Sequence, residues 1–217
     1  MPRVSDEHLE RRRRQILDAA RICFVRKGFH QTSMQDVFTE SGLSAGAVYR
    51  YFKSKDELVI ALASTAAGDI RAQMTAVIHS DPLPTPAQLV ARMTDWIDTQ
   101  SGPEGRIRLA PQAWSLALVD EQAAAPVRRT LTGIREMWRE YAERMRTAGW
   151  LPPDADVNAV AAALFGLLPG FVLQHLLLGD LVRDQYLRGV DTLFPYGDPE
   201  NRGTWPAAGS TTVAGPP

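Results

Sequence analysis

The sequence predicts an all-α protein, with an N-terminal three-helix DNA-binding unit built around a helix-turn-helix and a larger helical domain behind it, about nine helices in all. Two observations carry this. Apolar residues recur at spacings of three and four along most of the 217 residues. In addition, the stretch TSMQDVFTESGLSAGAVYRYFKSKDEL, Thr32 to Leu58, sets two short apolar-periodic runs on either side of Ser-Gly-Leu-Ser and follows them with an aromatic cluster and a capped lysine.

Composition bounds the rest. With 45% hydrophobic residues and a mean hydropathy of -0.19, the chain has the makings of a soluble protein with a real core. The single cysteine, Cys23, excludes an intramolecular disulfide and cannot build a zinc site alone, so a cytoplasmic location is expected. The start, MPRVSDEHLERRRRQ, lacks the apolar core of a secretory signal. Net charge is -1, unevenly spread: residues 1–60 hold 11 Lys/Arg against 8 Asp/Glu, and the remainder 13 against 17. Lys27, Lys53 and Lys55, the only lysines, lie in the first part. The asymmetry supports an interaction surface near the N-terminus, although a solvated helix face explains Arg11 to Arg14 equally well.

Residues 1–9 are expected to form a flexible arm. Helix 1 is predicted from about Glu10 to Lys27, where Ile16, Leu17, Ala20, Cys23 and Phe24 form the stripe and Gly28 suits the left-handed turn that ends it. Thr32 and Ser33 can each cap helix 2, with Gln35 and Asp36 three residues on completing either of two overlapping capping boxes. Gly42 suits the tight turn, Leu43 plugs the corner and Ser44 caps helix 3. At 100° per residue, Val48, Tyr51 and Phe52 face inward in helix 3, and Gly46, Tyr49, Arg50 and Lys53 face out. An outward guanidinium can bond guanine bidentately, a phenol can reach a phosphate, and a glycine admits close approach to bases. Ser54 caps helix 4. Lys55 in its first turn opposes the helix dipole, which makes sense where an anion such as a phosphate sits over that end.

The run from Gly28-Phe29 through Thr32, Val37, Ser41-Gly42-Leu43-Ser44, Gly46, Tyr49-Arg50-Tyr51-Phe52 and Lys55-Asp56-Glu57-Leu58 resembles the DNA-binding domain of TetR-family transcriptional regulators, over residues 10–60. The resemblance implies that Thr32, Ser44, Tyr49, Tyr51 and Lys55 hold DNA phosphates and that Ala45, Gly46 and Arg50 face bases. Ser33 and Lys53 complete the expected DNA-binding set. One departure is Phe38, where the family usually has alanine; it is expected to alter the packing of helix 2 and to leave the DNA face untouched. For residues 61–197 the resemblance implies a helical ligand-binding and dimerisation domain, and residues 198–217, rich in Gly, Pro, Ala and Thr, read as a disordered tail.

The chain's own periodicity agrees with that plan. SDPLPTP, Ser80 to Pro86, separates helices 4 and 5. Leu89, Met93, Trp96 and Ile97 stripe helix 5, and Ile107, Ala110, Trp114 and Leu118 the next, where Pro111 demands a late start or a kink. Val127 to Met145 marks a long helix 7 that Gly149 ends. The segment Ala159 to Gly179 carries no charge over 21 residues. Its length suits a membrane span. Pro169-Gly170 at its centre, Gln174-His175 and acidic borders favour burial against a twin instead, and the resemblance pairs it with the helix from about Asp184 to Phe194 in a four-helix dimer bundle. Leu164, Leu176, Leu177 and Val190 are the candidate dimer residues. Trp96, Trp114, Trp138, Phe171, Gln174 and His175 are the candidate ligand contacts, on a helix that Pro169 should kink; the tryptophans and His175 are equally explained as core.

No histidine has metal-ligand spacing with another or with Cys23, and no phosphate loop or nucleophile elbow is present, so neither cofactor nor catalysis is expected. The function that follows is a homodimeric, sequence-specific regulator, a repressor that a small, largely apolar or aromatic ligand releases from a palindromic operator in double-stranded DNA. A ligand-independent architectural or activating DNA-binding protein is one rival. A helical small-molecule-binding protein with vestigial DNA binding is the other.

Overall fold

The computed structural model describes residues 6–102 and 105–196, so the expected tail at 198–217 lies outside the described residues. Ten α-helices follow one another without a strand among the described residues: α1 (Asp6–Lys27), α2 (Met34–Ser41), α3 (Ala45–Tyr49), α4 (Lys55–Ile78), α5 (Pro86–Thr99), α6 (Leu109–Val119), α7 (Glu121–Thr147), α8 (Val157–Phe165), α9 (Leu167–Leu173) and α10 (Arg183–Leu193). Counting α8 and α9 as one kinked helix returns the nine expected.

The caps explain most boundaries. Residues 6–9, part of the stretch expected to be a flexible arm, are already helical and belong to α1, with the acidic Asp6 and Glu7 in its first described turn. Ser33, not Thr32, caps α2, with Asp36 closing the box, and Gly42 ends it at φ 65°. Thr85 and Gln88 form a second capping box at α5, where Pro86 takes the first helical position. Pro111 resolves as the late start: a 3₁₀ turn at Arg106–Arg108 precedes α6, so the proline stands in the first turn, where its missing N–H costs nothing.

The charge-free segment breaks at Gly166, three residues before Pro169. There the Gly166 amide donates to Ala163 O, one residue tighter than α-helical. The proline has no N–H to offer the carbonyl four residues back, so the helix restarts upstream of it. A π-helical turn, Gln174–Leu178, then ends at Gly179.

Two hydrophobic cores result, and α4 and α7 run through both. The first joins Ile16, Phe24, Val37, Val48, Phe52 and Leu58 of the N-terminal unit to Ala113 of α6 and Val127 of α7. The second gathers Met74, Ile78, Leu89, Met93, Trp138, Tyr141 and Met145 with α8, α9 and α10. At 24 and 27 residues, α4 and α7 are each about 35–40 Å long, which is what lets single helices span both cores. The expected domain boundary after residue 60 therefore falls inside α4.

Two of the expected dimer residues belong to this second core. Leu164 on α8 and Val190 on α10 are 0% and 3% exposed within the chain itself, since the stripes that carry them turn inward to meet α7 and α5 respectively. They are unavailable to a second copy.

Candidate DNA-binding surface and interdomain cavity

The helix-turn-helix is held from behind. Val37 and Val48 are fully buried and Phe52 nearly so, which fixes α3 by its inner face. The outer face presents Ser44, Ala45, Gly46, Tyr49, Arg50 and Lys53, all exposed. A Cβ added at Gly46 would meet nothing within 4 Å, so the backbone there is open to a ligand. Ser44 accepts a bond from Ala47 N and caps the helix. Lys53 Nζ donates to Tyr49 O at 2.5 Å, folding back along the same face. Phe38 reaches this face as well. Its ring meets Tyr49 edge-on with centroids 5.3 Å apart, so the expectation that it leaves the DNA face untouched fails: the larger side chain props the phenol.

Three expected phosphate contacts have other work. Thr32 is 1% exposed, and its hydroxyl donates to Cys23 O and Gly28 O, which ties the end of α1 to the loop. Lys55 Nζ donates to Phe29 O at 3.0 Å and His30 O at 3.4 Å, and stands 4.7 Å over the Phe29 ring. Those carbonyls and that π-face, rather than an external anion, answer its place at the positive end of α4. Tyr51 is half-buried against the first core, as the periodicity suggests and the resemblance does not.

Asp36 locks α2 to α1. Lys27 Nζ lies 2.7 Å from its Oδ1, and the Ser33 amide and hydroxyl both donate to Oδ2 at 2.8 Å. The Lys27 bond, then the Ser33 bonds, hold the Asp36 carboxyl well below the usual carboxylate range, and the same pair raises Lys27. Arg26 and Glu40 approach to 3.7 Å, and Gln15 donates to Ser41 O at 2.8 Å, closing the α1–α2 contact.

A cavity of about 360 Å³ opens where the two domains meet. Its floor is apolar: Leu17 and Phe24 of α1, Leu62 and Ala66 of α4, Leu131 and Ile134 of α7. Trp96 of α5 and Trp114 of α6 complete the walls. The other expected ligand contacts lie elsewhere. Trp138 is fully buried against Tyr141, ring centroids 6.0 Å apart, and Phe171 is 1% exposed in the second core. His175 stacks on Phe171 at 5.6 Å, and Gln174 turns back to donate to Gly170 O. Their stripe packs onto α5 and α10, away from the residues that line the cavity. The cavity's α1 wall was missed because Arg11 to Arg14 read as a solvated face. The signal was nonetheless present, since Arg13, Arg14, Leu17, Arg21 and Phe24 follow the three-and-four spacing that Leu17 and Phe24 carry into the core.

This architecture defines a helix-turn-helix DNA-binding protein with a helical second domain enclosing an apolar cavity. Residues 16–62 match the model of bacterial regulatory proteins of the tetR family, and residues 86–195, over half of the chain, match that of the BetI-type transcriptional repressor C-terminal domain. The chain belongs to the TetR family of transcription regulators. The HTH-type transcriptional regulator YfiR of Bacillus subtilis is 51% identical over 57 residues, 26% of this chain and only 28% of that protein's length. The HTH-type transcriptional repressor AcnR of Corynebacterium jeikeium is 25% identical over 192 residues, 88% of this chain and 92% of that one. The crystal structure of FadR from Bacillus subtilis in complex with stearoyl-CoA superposes with a TM-score of 0.68 at 18% identity, over 82% of this chain and 96% of that one.

The Asp36 lock has a pH signature. A carboxyl depressed in the folded state stabilises fully above its ordinary titration range, and that contribution is lost as the pH falls through the range and below it. Asp36→Asn should therefore lower the melting temperature at neutral pH and flatten its fall on acidification. Thermal melts from pH 7 to pH 3 check this, and parallel profiles for the two proteins would show that the lock contributes nothing.

Proposed function

We propose that this regulator is a homodimeric repressor that holds a palindromic operator through α3 and leaves it when a small, largely apolar or aromatic molecule fills the interdomain cavity. The observation that carries the reading is the cavity's position: α1 and α4, which form its walls, also build the core behind the recognition helix. Two recognition helices must reach half-sites about one helical turn apart, so a molecule that prefers a state with different spacing weakens binding. FadR of Bacillus subtilis, a protein of the same fold, was crystallised with an acyl-CoA, which supports an effector with a long apolar part. Such a protein works in the cytoplasm, where the DNA is.

The second copy is proposed to cover the α8–α10 face. Leu177, Leu178 and Leu193 are 72%, 66% and 72% exposed in one protomer, and small residues Ala159, Ala162, Ala163 and Gly166 are exposed beside them. Val157–Leu178 is long and apolar enough to cross a membrane, and it is the only such stretch among the described residues. The break at Gly166 and the core-facing side of the segment favour a protein partner over lipid. Leu176 is half-buried at the edge of this face, which leaves Leu177 as its exposed centre.

Arg50→Ala should weaken operator binding by about 1–3 kcal/mol and relax specificity at one position per half-site, whereas Lys53→Ala should weaken all sequences alike and lower the salt slope by about 1. Mobility shifts on DNA upstream of the protein's own coding region separate the two. Normal operator binding by Arg50→Ala would mean that α3 is oriented differently.

An apolar effector should quench Trp96 and Trp114 emission, raise the melting temperature and release the operator at matching concentrations. Ala66→Leu or Ala110→Trp, which fill the cavity, should remove all three responses. A broad panel of apolar compounds that gives neither quenching nor stabilisation would defeat the inducer reading and leave a ligand-independent DNA-binding protein.

In sedimentation the protein should run near twice its 24.0 kDa chain mass. Leu177→Glu should yield a folded monomer, since that side chain is already solvent-exposed in one copy while a dimer would have to bury the charge. An unchanged dimer would place the interface elsewhere.

A further inference from the structure

The cavity has a polarity gradient that the apolar-effector reading leaves unused. Its α1 wall is one helical stripe, apolar at depth in Leu17 and Phe24 and charged toward the mouth in Glu10, Arg13, Arg14, Asp18 and Arg21; Arg106 enters from the 3₁₀ turn. The four arginines are not equivalent. Arg106 is neutralised by Asp69 at 2.7 Å and also donates to Gln100. Arg21 stands 3.9 Å from Asp18. Among the described residues, neither Arg13 nor Arg14 has a carboxylate within ion-pair distance, although Glu10 lies one turn away on the same stripe. The Arg13 guanidinium rests over the Phe52 ring, 5.6 Å from its centroid, which leaves its N–H edge unoccupied.

We infer that the effector is an amphiphile, an apolar chain or ring system ending in one anionic group, with the apolar part on the Leu17–Trp96–Trp114 floor and the anion held by Arg13 and Arg14. This rests on the cavity being the effector site. Two arginines from consecutive positions on the lining of an apolar well suit a carboxylate or phosphate between them, which guanidiniums bond through charge-assisted hydrogen bonds. The same contact supplies a route to the DNA. Phe52 anchors the C-terminal side of α3 in the first core, and an anion that draws Arg13 off its ring removes a contact which only the unliganded state makes.

The test compares decanoate, 1-decanol and decyltrimethylammonium, three chains of equal length and different charge, by tryptophan quenching and calorimetry on the full-length protein. Decanoate should bind about tenfold or more tighter than decanol, with the ammonium weakest; the open, hydrated mouth keeps the preference from being larger. In Arg13→Gln/Arg14→Gln the decanoate-to-decanol ratio should collapse to within about twofold of one, and in Arg13→Lys/Arg14→Lys most of it should return. If the double glutamine variant does not fold, Arg14→Gln alone, at an exposed position with no partner to lose, should cut the ratio by about threefold or more. Equal binding of decanoate and decanol by the wild type, or a preference for the ammonium, overturns the inference while leaving an apolar effector site in place. Failure of decanoate to bind at all overturns it too. Whether the cavity reading falls with it is decided separately by the apolar panel and by the cavity-filling variants.

Discussion

The rest of the structure depends on α4 being one unbroken helix. Its first turn is fastened to the end of α1 by Lys55, whose ammonium bonds the carbonyls of Phe29 and His30. Its middle is held to the 3₁₀ turn by Asp69 and Arg106, and its last turn to α7 by Arg144, which donates to Ile78 O and Ser80 O, and by His79 beside Glu140. α4 holds no proline, and Gly68, the residue at which it would bend most readily, stands beside the Asp69 that Arg106 holds. α4 thus joins the second core to the helix-turn-helix through one continuous run of helical backbone.

The cavity lies along the same helix. α4 and α7 both run through the two cores, and Leu62 and Ala66 of α4 and Leu131 and Ile134 of α7 line it. α1, α5 and α6 close the gap with tryptophan and aliphatic side chains, and the floor is accordingly apolar. A molecule seated there would touch helices on both sides of the domain junction at once, α4 among them.

The fold was legible in the sequence because helix starts and stops are local chemistry. Ser33 with Asp36, Gly42, Ser44, Ser54 and Gly149 each act within four residues of themselves, so their meaning survives without tertiary context. The exposed set from Ser44 to Lys53 was legible for the same reason, as the outward side of α3 and of the turn that follows it. What escaped was anything decided between helices. The stripe through Leu164, Phe171 and His175 has one apolar face, and periodicity says that such a face is buried without saying against what; here it is the protomer's own α5 and α10. Arg13 and Arg14 pointed the opposite way: a run of four arginines looks solvated, and only the arrival of α4 and α6 turns two of them into the rim of a cavity.

The same distinction separates motif from role within the DNA-binding unit. Thr32 and Lys55 occur in the run that resembles other regulators, yet both are engaged with backbone carbonyls at the corner between α1 and α2. Three chain segments converge at that corner, and unpaired buried carbonyls there would be costly. A threonine hydroxyl and a lysine ammonium bring donors to it. A residue type recurring at that spacing is then accounted for by the geometry that presents α3, and the side chains which the fold does not consume there include Tyr49 braced by Phe38, Arg50 with no protein partner among the described residues, and Lys53 lying along the same face.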